Sequence, residues 1–94
     1  MKQRRFASVW DAIEPSRSAG ANMKARAEMM NAIRESVAEW GVTQAVAAKR
    51  LELTQPRMND LLRGRINKFS LDALVNLATR AGLSIRVKVT KTAA

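Results

Sequence analysis

Residues 44 to 68 concentrate side chains that hydrogen-bond in pairs: Gln44, Gln55, Arg57 and Asn59, followed by Arg63, Arg65 and Lys68. A carboxamide offers a donor beside an acceptor, which suits the edge of an adenine; an arginine fork suits guanine or a phosphate. This chemistry is recognition rather than turnover. The chain has no cysteine and no histidine, which removes thiolate and imidazole metal ligands and the usual general base. It offers no nucleophile–base pair and no phosphate-cradling glycine loop. Neither an enzyme nor a metal or cofactor is expected.

Charge supports the same direction. The 94 residues carry a net charge of +9, from 17 Lys and Arg against 8 Asp and Glu. The excess is uneven. Residues 1–40 hold 7 basic and 5 acidic side chains, whereas residues 41–94 hold 10 and 3. A basic excess gathered on one half is the footprint of a polyanionic partner, with nucleic acid the commonest. No run approaches eighteen apolar residues, and MKQRRFASVW lacks the apolar core of a signal peptide, so a soluble cytoplasmic protein without a membrane partner is expected.

The elements that must position these residues follow from local signals. Phe6, Val9, Trp10 and Ile13 recur at helical spacing, and Pro15 is expected to end that short segment. EPSRSAGAN has the composition of a linker. A long helix then places Met23, Ala27, Met30, Ile33, Val37 and Trp40 on one face, and Gly41 suits its left-handed stop. Three helix starts share one signature, a Thr or Ser between apolar residues: Val42–Thr43–Ala47, Leu53–Thr54–Met58 and Phe69–Ser70–Leu74. Pro56 sits at a second helical position, where its missing N–H costs little. Helices are expected near 20–40, 43–51, 54–63 and 70–81. The tail then changes period. Leu83, Ile85, Val87 and Val89 alternate with Ser84, Arg86, Lys88 and Thr90, the pattern of a strand with one apolar face. The fold class is therefore all-α, four or five helices, with a short C-terminal β-strand. The chain divides into residues 1–19 (short helix and linker), 20–82 (the helical domain) and 83–94 (strand and tail).

Within QAVAAKRLELTQPRMNDLLR, Ala47 and Ala48 supply the small contact that two steeply crossed helices need. Leu51, Leu53, Met58 and Leu61 pin the turn, which leaves Gln55, Arg57, Asn59 and Asp60 on or near the outer face of the second helix. That is the layout of a helix-turn-helix with an exposed recognition helix. Residues 44–63 resemble, without a gap, the helix-turn-helix of the Cro-type (XRE) repressors. RGRINKFSLDALVNLATRAG is similar to the continuation seen in HigA-like antitoxins of toxin–antitoxin operons.

The resemblance implies a sequence-specific DNA-binding repressor, encoded by a bacterium, phage or plasmid, that is the antitoxin and autoregulator of its operon. A free-standing phage- or plasmid-type repressor is the alternative. The DNA-contacting set it implies is Thr43, Gln44, Thr54, Gln55, Pro56, Arg57, Asn59, Arg63, Arg65 and Lys68. Gln55 matches the first base-contacting position, and Gln44 suits a phosphate. Arg57 would reach guanine or a phosphate, while Asn59 would read adenine or stay solvated. Arg63, Arg65 and Lys68 are expected to clamp phosphates. Asp60 is expected to hold Arg57, Arg63 or Lys68.

One recognition helix reads too few base pairs alone, so a homodimer on double-stranded DNA with an inverted repeat is expected. The strand is a candidate seam, burying Ile85, Val87 and Val89 against a second copy; pairing with residues Arg4–Ala7 is the alternative. Phe6, Val9, Trp10 and Ile13 would meet a RelE/HigB-type toxin or cap their own core. Glu52 stands where the family's turn favours glycine. A left-handed backbone is expected there, with Lys49 or Arg50 offsetting part of the cost.

Overall fold

The computed structural model describes residues 15–92. Among them are four α-helices and one short turn of 3-10 helix: α1 (Pro15–Trp40), α2 (Gln44–Leu51), α3 (Gln55–Leu62), the turn Ile66–Lys68, and α4 (Leu71–Arg80). The expected N-terminal helix of Phe6, Val9, Trp10 and Ile13 lies outside the described residues.

The helix starts are set by side chains. Thr43 accepts from the Val46 N–H at 3.2 Å, Thr54 from the Arg57 N–H at 3.3 Å, and Ser70 from the Ala73 N–H at 3.1 Å. Each such cap stabilises its helix by about 1 kcal/mol. The stops are equally local. After α2 the N–H of Leu53 returns to the Ala48 carbonyl (2.8 Å) and that of Glu52 to Lys49 (3.1 Å). This is the Schellman pattern, which requires a left-handed residue where Glu52 stands. Glu52 adopts it, with φ 58° and ψ 42°. The same paired bonds close α3 at Gly64 and α4 at Gly82.

The core is one cluster. Met30, Ile33 and Val37 of α1 meet Ala47, Ala48 and Leu51 of α2, Met58 and Leu61 of α3, Phe69, and Leu74, Leu77 and Ala78 of α4. The alanines lie where α2 approaches its neighbours, as the crossing of α2 and α3 demands.

Two expectations are corrected. Pro15, the first described residue, is already in α1, so the stretch with a linker's composition is helical from there on. The segment that Pro15 is expected to end lies outside the described residues. Met23, the expected first member of the apolar stripe, is exposed, because the first turns of α1 extend past the core. The tail differs as well: residues 83–92 contain no strand, and the backbone there has no sheet partner among the described residues.

Candidate nucleic-acid interface

Gln44 opens α2 and Gln55 opens α3, both exposed. The Gln44 Nε2 donates to the Gln55 Oε1 across a long 3.5 Å bond. The crossing of α2 and α3 thereby brings two residues eleven positions apart into one hydrogen-bonding pair. Pro56 is exposed beside them, and Asn59 is half-buried one turn further along α3. Thr43 and Thr54 are exposed, and each spends a lone pair on its helix cap.

Arg57 is placed differently from a free reader. Its guanidinium carbon lies 4.0 Å from the centroid of the Phe69 ring, and its Nη1 donates to the Lys68 carbonyl at 2.6 Å. The basic segment after α3 is held just as closely. Arg34 of α1 donates to the Leu62 carbonyl at 2.8 Å, and Arg26 of α1 donates to the carbonyls of Ile66 (3.3 Å) and Phe69 (3.4 Å). Gly64 has φ 71°, and a Cβ built there would stand 3.2 Å from the Arg34 Nη1. Glycine is needed at this point for conformation and for space.

Asp60 does not hold Arg57, Arg63 or Lys68, the partners expected of it; its ion pair is with Arg65, at 3.1 Å. The reach is set by the Schellman turn, whose Arg65 N–H bonds the Asp60 carbonyl at 3.0 Å and so folds Arg65 back over Asp60. Arg63 and Lys68 are exposed, and no ion pair reaches either among the described residues. Glu52 does not lean on Lys49 or Arg50 as expected. Its partner is Arg80 of α4, at 3.7 Å, while Arg50 lies over Trp40 at 5.0 Å from the ring centroid.

The arginines that brace this region, Arg26, Arg34 and Arg80, are not among the residues that sequence reasoning picks out. Arg26 and Arg34 stand four residues to either side of Met30, on the core-facing side of α1. A cation on an apolar stripe is the signal that marks them.

The result is a two-helix unit braced by arginines from α1 and α4. It presents a carboxamide pair at one edge and exposed cations at the other, with one acid among them neutralised. Among the described residues no group of acidic side chains could hold a metal ion, and no helix is long and apolar enough to cross a membrane.

Such a unit defines a DNA-binding regulator of the helix-turn-helix class. A family model described as a helix-turn-helix domain matches residues 13–90, and the chain belongs to that family. No curated protein matches the chain.

Proposed function

We propose that this protein is a sequence-specific transcriptional repressor that binds an inverted-repeat operator as a homodimer in a bacterial cytoplasm, and that it is the antitoxin and autoregulator of a toxin–antitoxin operon. The observation that carries the DNA-binding part is the Gln44–Gln55 pair at the exposed ends of two braced helices. With its side chains an α-helix such as α3 is roughly 10–12 Å across, which suits the roughly 12 Å width of the major groove. With its N-terminus in the groove, Gln55 and Asn59 face base edges, Pro56 stands beside a thymine methyl, and Gln44 meets the backbone. Arg63, Arg65 and Lys68 then flank the groove as phosphate contacts. Thr43 and Thr54 lie at the same two helix ends.

Dimerisation is assigned to the tail. Val87 and Val89 are 81% and 87% exposed on the alternating apolar side of the tail, together with Ile85. Antiparallel pairing with a second copy supplies the backbone partners the segment lacks and covers Ile85, Val87 and Val89. The domain is residues 20–82, with α1 extending before it. The antitoxin role is supported by the similarity of RGRINKFSLDAL to the HigA-like continuation. The toxin-facing residues would be Phe6, Val9, Trp10 and Ile13, whose helical spacing in the sequence, with Asp11 and Glu14 between and after them, would suit a basic toxin.

The test is co-purification with the product of the adjacent gene, followed by footprinting of the protein's own promoter region with and without it. Retention of a small basic protein and a protected inverted repeat are expected. Protection without any co-purifying partner would indicate the free-standing repressor; no protection at all would end the repressor reading.

A further inference from the structure

Arg57 is the residue whose sequence role and structural place diverge most. It stands third in α3, where an arginine is positioned to reach into a groove. Its guanidinium is committed on two sides: one face lies 4.0 Å from the Phe69 ring centroid, and Nη1 donates to the Lys68 carbonyl at 2.6 Å. Bidentate pairing with guanine needs the fork of that same group, unobstructed. Phe69 is only 1% exposed, and the guanidinium is part of its cover. Reaching a base would uncover a buried ring and strip a carbonyl of its donor in exchange for one contact.

The neighbouring carbonyls show what the arrangement is for. Within residues 62–69, the carbonyls of Leu62, Ile66, Lys68 and Phe69 all accept from arginines, namely Arg34, Arg26, Arg57 and again Arg26. Two of these arginines belong to α1 and one to α3, so the segment is tied to both helices. Partial negative charge is turned inward or covered, and Arg65 and Lys68 remain on the exposed side. A segment held this way carries its cations at fixed positions, which lowers the ordering cost of phosphate binding.

We propose that Arg57 is a positioning residue for phosphate binding: through Phe69 and the Lys68 carbonyl it sets the loop that carries Arg65 and Lys68, and it reads no base. The assignment rests on the DNA-binding reading above and specifies which residues perform it. Sequence is then read by Gln55 and Asn59, with Gln44 bracing Gln55.

The experiment selects preferred duplexes from a random-sequence library with the wild-type chain, then measures affinity against salt for Arg57→Gln, Arg57→Lys, Phe69→Leu and the double variant Arg57→Gln/Phe69→Leu. Thermal melts confirm which variants remain folded. Arg57→Gln should weaken binding about tenfold and lower the salt slope by clearly more than the roughly 0.9 of a single phosphate contact, because Arg65 and Lys68 lose their places together. The selected sequence should be unchanged at every position. Arg57→Lys should rescue little, since an ammonium has no flat face to stack. Phe69→Leu should reproduce the slope change, and the double variant should add nothing.

A relaxed preference at one base pair with an unchanged slope would make Arg57 a base reader and overturn the proposal. A slope loss near 0.9 with Phe69→Leu silent would make it an ordinary phosphate contact and overturn it equally. Absence of salt-dependent binding by the wild type would instead overturn the DNA-binding reading, and this assignment with it.

Discussion

Arg80 reaches from the end of α4 to Glu52 at the end of α2: its Nη2 lies 3.7 Å from the carboxylate, and its Nη1 donates to the Leu51 carbonyl at 3.4 Å. The turn between α2 and α3 is thus held by a residue 28 positions away, at the one stop among the described residues where a non-glycine residue is left-handed. The left-handed backbone costs a residue with a Cβ roughly 1–2 kcal/mol. The ion pair is exposed on both sides and offsets at most about 1 kcal/mol of that. Glu52→Gly is therefore expected to stabilise the fold by about 1 kcal/mol, a rise of roughly 4–8 °C in Tm. DNA affinity should be unchanged. A calorimetric scan showing a lower Tm would mean that the Arg80 contact outweighs the backbone strain.

Gly64 should behave in the opposite way. It too is left-handed, but its missing Cβ leaves the room that the Arg34 guanidinium occupies on its way to the Leu62 carbonyl. Gly64→Ala is expected to cost about 1–2 kcal/mol from the backbone alone, with more where Arg34 is displaced. Arg34→Met should cost about 1–3 kcal/mol by leaving the carbonyl without its donor. Combining the two should cost less than the sum, because the clash in Gly64→Ala is with Arg34 itself. Additive losses in urea melts would disprove the shared mechanism.

How far the sequence reaches depends on the distance over which a signal acts. Thr43, Thr54 and Ser70 act three residues ahead through a cap, and Gly41, Gly64 and Gly82 act within a single turn, so the helix boundaries are readable from short windows. The Pro, Ser and Gly composition after Glu14 is a local signal for a linker, and the long helix that runs through it overrides that signal. Arg26, Arg34, Arg57 and Arg80 act across 40 to 43, 28, 11 and 29 positions. No local pattern states where such a side chain ends. Gln44 and Gln55 are legible as a matched pair of helix openings, but only the crossing of α2 and α3 brings them into contact.

Asp60 restrains one of the cations proposed to meet the DNA backbone. Its side chain is 17% exposed and its ion pair with Arg65 is 3.1 Å long, while the Arg65 side chain is 47% exposed. Asp60→Asn removes the restraint and a repulsive charge together. Affinity for a short duplex is expected to rise several-fold near 0.1 M salt, where the Debye length is about 10 Å, with the gain fading at higher salt. Lys68→Gln should lower the salt slope by about 0.9. Fluorescence anisotropy across a salt series checks both, and weaker binding by Asp60→Asn would show that the ion pair places Arg65 rather than withholding it.

The proposed dimer seam in the tail carries its own electrostatic test. From Leu83 onward it carries Arg86, Lys88 and Lys91 and no acidic residue. Antiparallel pairing centred on Val87 aligns Ile85 with Val89 of the partner subunit, which is favourable, but it also sets Arg86 opposite Lys88 of the partner subunit. Directly opposed like charges destabilise a pair of strands. Screening should therefore favour assembly, and the dimer is expected to tighten between about 0.1 M and 1 M salt, as the Debye length falls from roughly 10 Å to 3 Å. Lys88→Glu replaces the repulsion with attraction and should reverse that trend, while Val87→Asp should leave monomers at every salt concentration. Sedimentation equilibrium reads all three. A Val87→Asp protein that still dimerises would move the seam elsewhere, and a wild-type dimer that weakens with salt would mean that the two tails do not face each other in this register.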